Sequence, residues 1–165
     1  MSLDSARDYL YVGDSPNGVR VYHNASIANE SGATTNLPTR TISTADIGLT
    51  LLVRDIALDP GRDILYVAVD TQFAIPPSMS ILVFDNASSL NGSMLTPDRT
   101  ITITTSVYGT MGLFIDTAHD RLYFADSGGR NIDIRDGRHQ RWSRAPGQVN
   151  WTAFDRSTID GGHRE

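Results

Sequence analysis

One decapeptide occurs three times in this chain, and nothing else in it restricts the fold as strongly. Leu3-Asp4-Ser5-Ala6-Arg7-Asp8-Tyr9-Leu10-Tyr11-Val12 returns as Leu58-Asp59-Pro60-Gly61-Arg62-Asp63-Ile64-Leu65-Tyr66-Val67. It returns again as Ile115-Asp116-Thr117-Ala118-His119-Asp120-Arg121-Leu122-Tyr123-Phe124. The spacing is nearly constant, at about 55 residues. A fixed period marks a solenoid, a propeller or an array, because one unit cannot cover its apolar face alone.

The likeness extends beyond the decapeptide. Val19-Arg20-Val21-Tyr22-His23-Asn24-Ala25-Ser26 corresponds to Ile81-Leu82-Val83-Phe84-Asp85-Asn86-Ala87-Ser88, and Pro38-Thr39-Arg40-Thr41-Ile42 to Pro97-Asp98-Arg99-Thr100-Ile101. Each unit therefore reads as four short strands separated by turn residues. Asp63 to Val69 is β-branched and aromatic and apolar on both sides of the pleat, so both of its faces should be covered. Thr100 to Thr104 alternates strictly, as a half-exposed outer strand does. No segment offers an amphipathic helix of ten or more residues, and Ser26 to Gly32 is too polar to anchor one. The fold class is all-β.

With 165 residues, ordinary apolar content and no cysteine, the chain can build one core without disulfides or thiolate metal sites. No run approaches the roughly 20 apolar residues of a membrane span. The net charge of −5 argues against a nucleic-acid partner. The segment from Arg121 to Arg144 is locally basic, with Trp142 among its arginines, and fits a subunit contact better, because Arg and Trp are favoured at interface centres. The first repeat begins almost at Met1, so no signal peptide is expected ahead of Leu3 within these 165 residues.

These motifs, Leu-Asp-x-x-Arg-Asp-x-Leu-Tyr-Val, Val-Phe-Asp-Asn-Ala-Ser and Pro-x-Arg-Thr-Ile, resemble the repeats of bacterial β-propeller proteins of the NHL and YVTN kind over roughly residues 1 to 136. The resemblance implies four-stranded blades around a central channel. It also implies a secreted or cell-surface origin, and a role as a binding platform or, in the alternative, a lactonase-like hydrolase with a channel calcium. A closed propeller needs about four to eight blades, and this chain has material for three. Blade 1 spans about 1–45, blade 2 about 50–105 and blade 3 about 110–148. Asn150-Trp151-Thr152-Ala153-Phe154-Asp155 looks like a spare inner strand, within 149–155, ahead of a tail over 156–165. Two copies closing a six-bladed ring would cover the end faces, with Trp142, Trp151 and Phe154 at the contact. The partner expected is thus a second copy of the chain.

The Asp and Arg-Asp residues of the first turn in each unit, with His119 in place of Arg in the third, read as blade-building turn residues. Candidate ligand residues lie instead where the units differ: Asp14, Asp70, Gln72, Phe73, Asp126 and Arg130 after the second strands, and Asp46 and Tyr108 ahead of the inner strands. Arg54 interrupts an apolar inner strand. The favoured reading pairs it with Asp55 or with a carboxylate of a neighbouring blade; otherwise it points into the channel. Asp126 to Asp133 lacks the acids of an EF-hand and reads as a Gly-Gly hairpin. The four histidines share no metal-site spacing, and no catalytic motif is present. Asn24-Ala25-Ser26 and Asn86-Ala87-Ser88 match a glycosylation acceptor, but a turn role explains them without sugar. The expectation is a non-catalytic module that binds a small molecule, glycan or protein, without metal or cofactor; calcium enters only under the hydrolase alternative.

Overall fold

The computed structural model describes residues 1–27, 37–71, 79–103, 110–126, 135–136, 139–140 and 150–155, with the backbone alone described at 103, 110–111, 126 and from 135 onward. Apart from a single 3-10 turn at Ala25–Ile27, the regular elements among these residues are strands. The first sheet contains β1 (Ser2–Asp4), β2 (Tyr9–Asp14), β3 (Gly18–His23) and β4 (Arg40–Ile42), in that order. The second contains β5 (Leu51–Asp59), β6 (Ile64–Thr71), β7 (Met79–Phe84) and β8 (Arg99–Ile103), also in chain order. The third is built on β9 (Thr110–Asp116) and β10 (Arg121–Asp126). A small hairpin pairs β11 (Arg135–Asp136) with β12 (His139–Gln140).

The last strand, β13 (Asn150–Asp155), sits differently from its expected place as a spare inner strand. It pairs antiparallel with β10 along all six residues, from Arg121 opposite Asp155 to Asp126 opposite Asn150. The sheet order is β13-β10-β9, so β13 holds the place that β3 and β7 hold in the other sheets. The physical reason is length: β10 offers a six-residue open edge, and the six residues of β13 match it one for one. Trp151 falls opposite Ala125, and Phe154 opposite Leu122.

The Leu-Tyr pair at the start of each second strand decides which way each sheet faces, because successive strand residues point to opposite sides. Leu65, Val67 and Val69 of β6 pack with Ile56, Leu58, Leu82 and Phe84 against Tyr11, Val19, Val21 and Ile42 of the first sheet. Tyr66, with Ala57, Met79, Ile81 and Val83, packs the other way against Leu122 and Phe124 of the third sheet. Every residue from Ile64 to Asp70 is buried. The core is therefore two layers between three stacked sheets, and each sheet has a back face headed by Leu and a front face headed by Tyr.

The same asymmetry leaves two apolar faces with less cover. On the back of the first sheet Leu3 is 56% exposed and Leu10, Val12 and Tyr22 are only half-buried. The residues at equivalent register positions in the second sheet are Leu58, Leu65, Val67 and Phe84, all buried. On the front of the third sheet Phe114 is 57% exposed, and it lies against Tyr123 with ring centroids 6.1 Å apart.

The outer edge of β4 is closed by a loop from the second unit. Gly92 forms a parallel bridge with Ile42, donating to Thr41 O at 2.7 Å and accepting from Ser43 N at 3.0 Å. Leu95 N donates to Ser43 O at 2.9 Å, and the Asn91 side chain accepts from Thr41 N at 3.1 Å. An unpaired strand edge invites pairing with another chain, and this loop removes it.

Gly18, which opens β3, has φ of +101°, and a Cβ there would lie 2.6 Å from Ile42 O and 2.7 Å from Ser43 Cβ. Both the left-handed backbone and the close approach exclude a side chain. Gly18→Ala is expected to cost about 1–3 kcal/mol, read as a lower urea midpoint; an unchanged midpoint would contradict this packing.

Candidate functional site

The polar residues shared by all units close the turns between the first and second strands. Asp4 accepts from Ala6 N and Arg7 N, each at 3.1 Å, and from Arg7 Nη1 at 2.8 Å. Asp59 accepts from Arg62 N at 3.1 Å and Nη1 at 3.3 Å. Asp116 accepts from Ala118 N and His119 N, each at 3.1 Å, and its other oxygen lies 2.8 Å from His119 Nδ1. That side-chain hydrogen bond holds the Asp116 carboxyl below its ordinary range.

The second aspartate of each turn, Asp8, Asp63 or Asp120, has φ near +57°, a conformation Asp tolerates better than most residues. In the first two turns its carboxylate receives the Asn-Ala-Ser motif. Ser26 N and Oγ donate to Asp8 at 2.8 and 2.7 Å, and Ser88 N and Oγ donate to Asp63 at 2.9 and 2.6 Å. The motif thus has a structural use in both places. The turns also link neighbouring sheets: Arg7 Nη1 donates to Pro60 O at 3.2 Å, and Arg62 Nη1 to Asp120 Oδ1 at 2.8 Å.

The variable residues gather at the opposite end of the sheets. Asp14 ends β2, and its carboxylate accepts from Arg20 Nε and, at 3.1 Å, from Asn17 Nδ2. The Arg20 hydrogen bond holds the Asp14 carboxyl below its ordinary range. The hairpin carrying Asp14 abuts the turn carrying Asp46, because a Cβ on Gly48 would lie 2.6 Å from Pro16 O. Asp46 caps that turn through its carbonyl, which accepts from Leu49, Thr50 and Leu51 N, and its side chain is exposed.

Arg54 sits at a bulge in β5, where the register with β6 shifts between Val53 and Asp55. Its partner is neither Asp55 nor a carboxylate of another sheet. Arg54 Nε donates to Asp70 Oδ2 of the adjacent strand at 2.7 Å, while Asp55 accepts from Leu113 N of the third sheet at 2.6 Å. The Asp70 side chain is 5% exposed and that of Arg54 is 42% exposed. Asp70 Oδ1 is buried and has no hydrogen-bond partner among the described residues.

Asp14, Asp70 and Asp126 look equivalent in sequence, but their registers differ. Asp14 pairs with Gly18, as Val69 pairs with Ser80, and Asp126 pairs with Thr110, as Val69 pairs with Val53. Asp70 is one residue further on and therefore on the other face, beside Met79. Gln72, Phe73, Tyr108, Arg130 and Trp142 lie outside the described residues. Trp151 and Phe154 are placed by backbone on β13. Among the described residues, no group of three or more His, Asp or Glu side chains is arranged to hold a metal ion, and no helix is long and apolar enough to cross a membrane.

One polar cluster has no counterpart in the sequence reading. The Tyr9 and His23 rings stack at 4.0 Å between centroids, and the Arg40 guanidinium lies over Tyr9 at 5.2 Å. Arg40 Nε donates to His23 Nε2 at 2.9 Å, and Nη1 donates to the carbonyls of Ala87 at 3.1 Å and Leu90 at 2.7 Å. Arg40 therefore ties the first sheet to the second. The one signal in sequence is the exchange of Asp85 for His23 at equivalent places: Arg99 Nη2 donates to Asp85 Oδ1 at 2.6 Å.

Two outcomes follow. Arg54→Met leaves the buried Asp70 carboxylate without its cation and is expected to cost about 1–3 kcal/mol, while Arg54→Met with Asp70→Leu recovers most of that loss; urea titration of both variants checks this. Burial, and secondarily the Arg40 charge, push the His23 imidazole below its ordinary value, and its accepting nitrogen is lost on protonation. The stability this neutral ring confers is complete above the unfolded-state value and lost as pH falls through the lower folded one. The urea midpoint should drop between pH 7.5 and 5, and His23→Asp, which copies Asp85, should abolish that contribution to the drop.

Compared with protein-family models, with curated proteins and with solved structures, the chain matches none.

Proposed function

We propose that the chain is a non-catalytic binding module in which three propeller-like blades pair with those of a second copy to close a six-bladed ring. The observation carrying this reading is the complementarity of the two less covered faces. Inside the chain, a Tyr-headed front face meets a Leu-headed back face twice. The third sheet ends with a front face carrying Phe114 and Tyr123, and the first begins with a back face carrying Leu3, Leu10, Val12 and Tyr22. Each end thus carries one half of the internal junction. Head-to-tail contacts close into a ring when the rotation allows it, and two copies give a blade count inside the propeller range.

In this reading the binding surface is the end of the stack that carries Asp14, Asp46, Arg54 and Asp70. The turns at the other end are occupied by their own hydrogen bonds. Arg54, anchored by a buried carboxylate yet half-exposed, presents a fixed guanidinium to a ligand, and Asp46 presents a carboxylate. Rigid stacked sheets hold these groups in place without any chemical step, and a small molecule, a glycan or a protein loop with complementary charge is the kind of ligand they fit.

Light scattering on a sizing column is expected to give twice the 18.0 kDa of one chain. Phe114→Asp, on the exposed front face, should reduce the mass to one chain with an unchanged far-ultraviolet circular dichroism spectrum. A single-chain mass for the unaltered protein at all concentrations would overturn the ring.

A further inference from the structure

The inter-sheet turn contacts follow a rule that the last turn breaks. In the first turn Arg7 binds its own Asp4 and reaches Pro60 O of the second. In the second, Arg62 binds its own Asp59 and reaches Asp120 of the third. The cation of one turn thus bridges to the next turn, close to the aspartate with positive φ. In the third turn that place belongs to His119, which is bound through Nδ1 to its own Asp116 and has a side chain 71% exposed. The corresponding aspartate of the first turn is Asp8, which also has positive φ.

Resting on the head-to-tail reading above, we propose that the contact between two copies is keyed by His119 of one against Asp8 of the other, in the place where Arg62 meets Asp120 within the chain. Asp8 is held for this as Asp63 is: Ser26 donates to it through N and Oγ, as Ser88 does to Asp63. His119 Nδ1 is engaged by Asp116, so Nε2 is the atom that faces outward from the turn. A two-fold pair has two such contacts.

The substitution makes this contact conditional where the internal ones are permanent. Guanidinium stays charged at any ordinary pH, whereas histidine is the side chain whose charge pH can switch in the physiological range. Among the described residues, His119 is paired with Asp116 of its own turn, and the residue after it, Asp120, carries Arg62 of the preceding sheet. On the second copy they are Asp8 and the Arg7–Asp4 pair. The imidazolium is attracted to Asp8, and the neutral ring is not, so the copies associate more tightly at low pH.

The test is the dimer dissociation constant at pH 5.5 and pH 8, by sedimentation or dilution light scattering. An exposed ion pair changes an equilibrium by about threefold, so two symmetric contacts should make the dimer about tenfold tighter at pH 5.5. His119→Ala is expected to lose that difference, and His119→Arg to hold the tight value at both pH values. Asp8→Asn, which keeps a residue tolerant of positive φ, should cancel the gain from His119→Arg. A dimer of equal affinity at both pH values, or a His119→Ala variant with the full pH difference, overturns the keyed contact and leaves the two-copy ring standing. A single-chain mass under all conditions overturns both.

Discussion

Burial of the second sheet on both faces is the constraint from which the rest of the structure follows. Its strand β6 alternates Leu65, Val67 and Val69 with Tyr66, Ala68 and Asp70, and all of them are buried. A strand that is apolar on both sides has no solvent face, so it requires a sheet behind it and a sheet in front. The first and third sheets meet that requirement, and their own outer faces then acquire the same need. Stacking is thus a demand passed along the chain, and it explains why one sequence pattern recurs with so little change in its apolar positions.

The hydrogen-bonded turns act at one edge of the stack in the same direction. Each turn aspartate satisfies backbone N–H groups that no strand can reach. Each arginine, held by that aspartate, extends to the following turn. Apolar layers are non-directional and tolerate sliding, whereas these bonds are specific in length and partner. They set the rotation of one sheet against the next. Arg40 does similar work at the outer edge, where its two carbonyl contacts fix the loop after β7 against the first sheet.

Much of this was legible in the residues themselves. The decapeptide gives the unit, its Leu-Tyr alternation gives both faces, and Asp4, Asp59 and Asp116 at equivalent places read as turn builders. The candidate rim was less legible. Arg54 was expected beside Asp55 or another sheet, but a bulge turns it toward Asp70, and a shift of one residue exchanges the faces of a strand. A one-residue offset along β6 separates Asp70 from Asp14 and Asp126 in the same way. Its trace in sequence is the extra residue in Leu65-Tyr66-Val67-Ala68-Val69-Asp70 relative to Leu10-Tyr11-Val12-Gly13-Asp14. The place of Asn150–Asp155 was hidden for a different reason: its resemblance to an inner strand is local, whereas its pairing depends on the open edge of β10, which is not a local property.

The loop that closes the outer edge of β4 also bears on how the chain is made. The first sheet has all of its strands once Ile42 has been synthesised, but the hydrogen bonds that seal its edge come from Asn91, Gly92 and Leu95. During vectorial synthesis, therefore, the earliest sheet to form carries an unsatisfied edge until most of the second has emerged. Neighbouring nascent chains on one messenger would meet through that edge, and the interval in which they can do so is set by the translation time from Ile42 to Leu95.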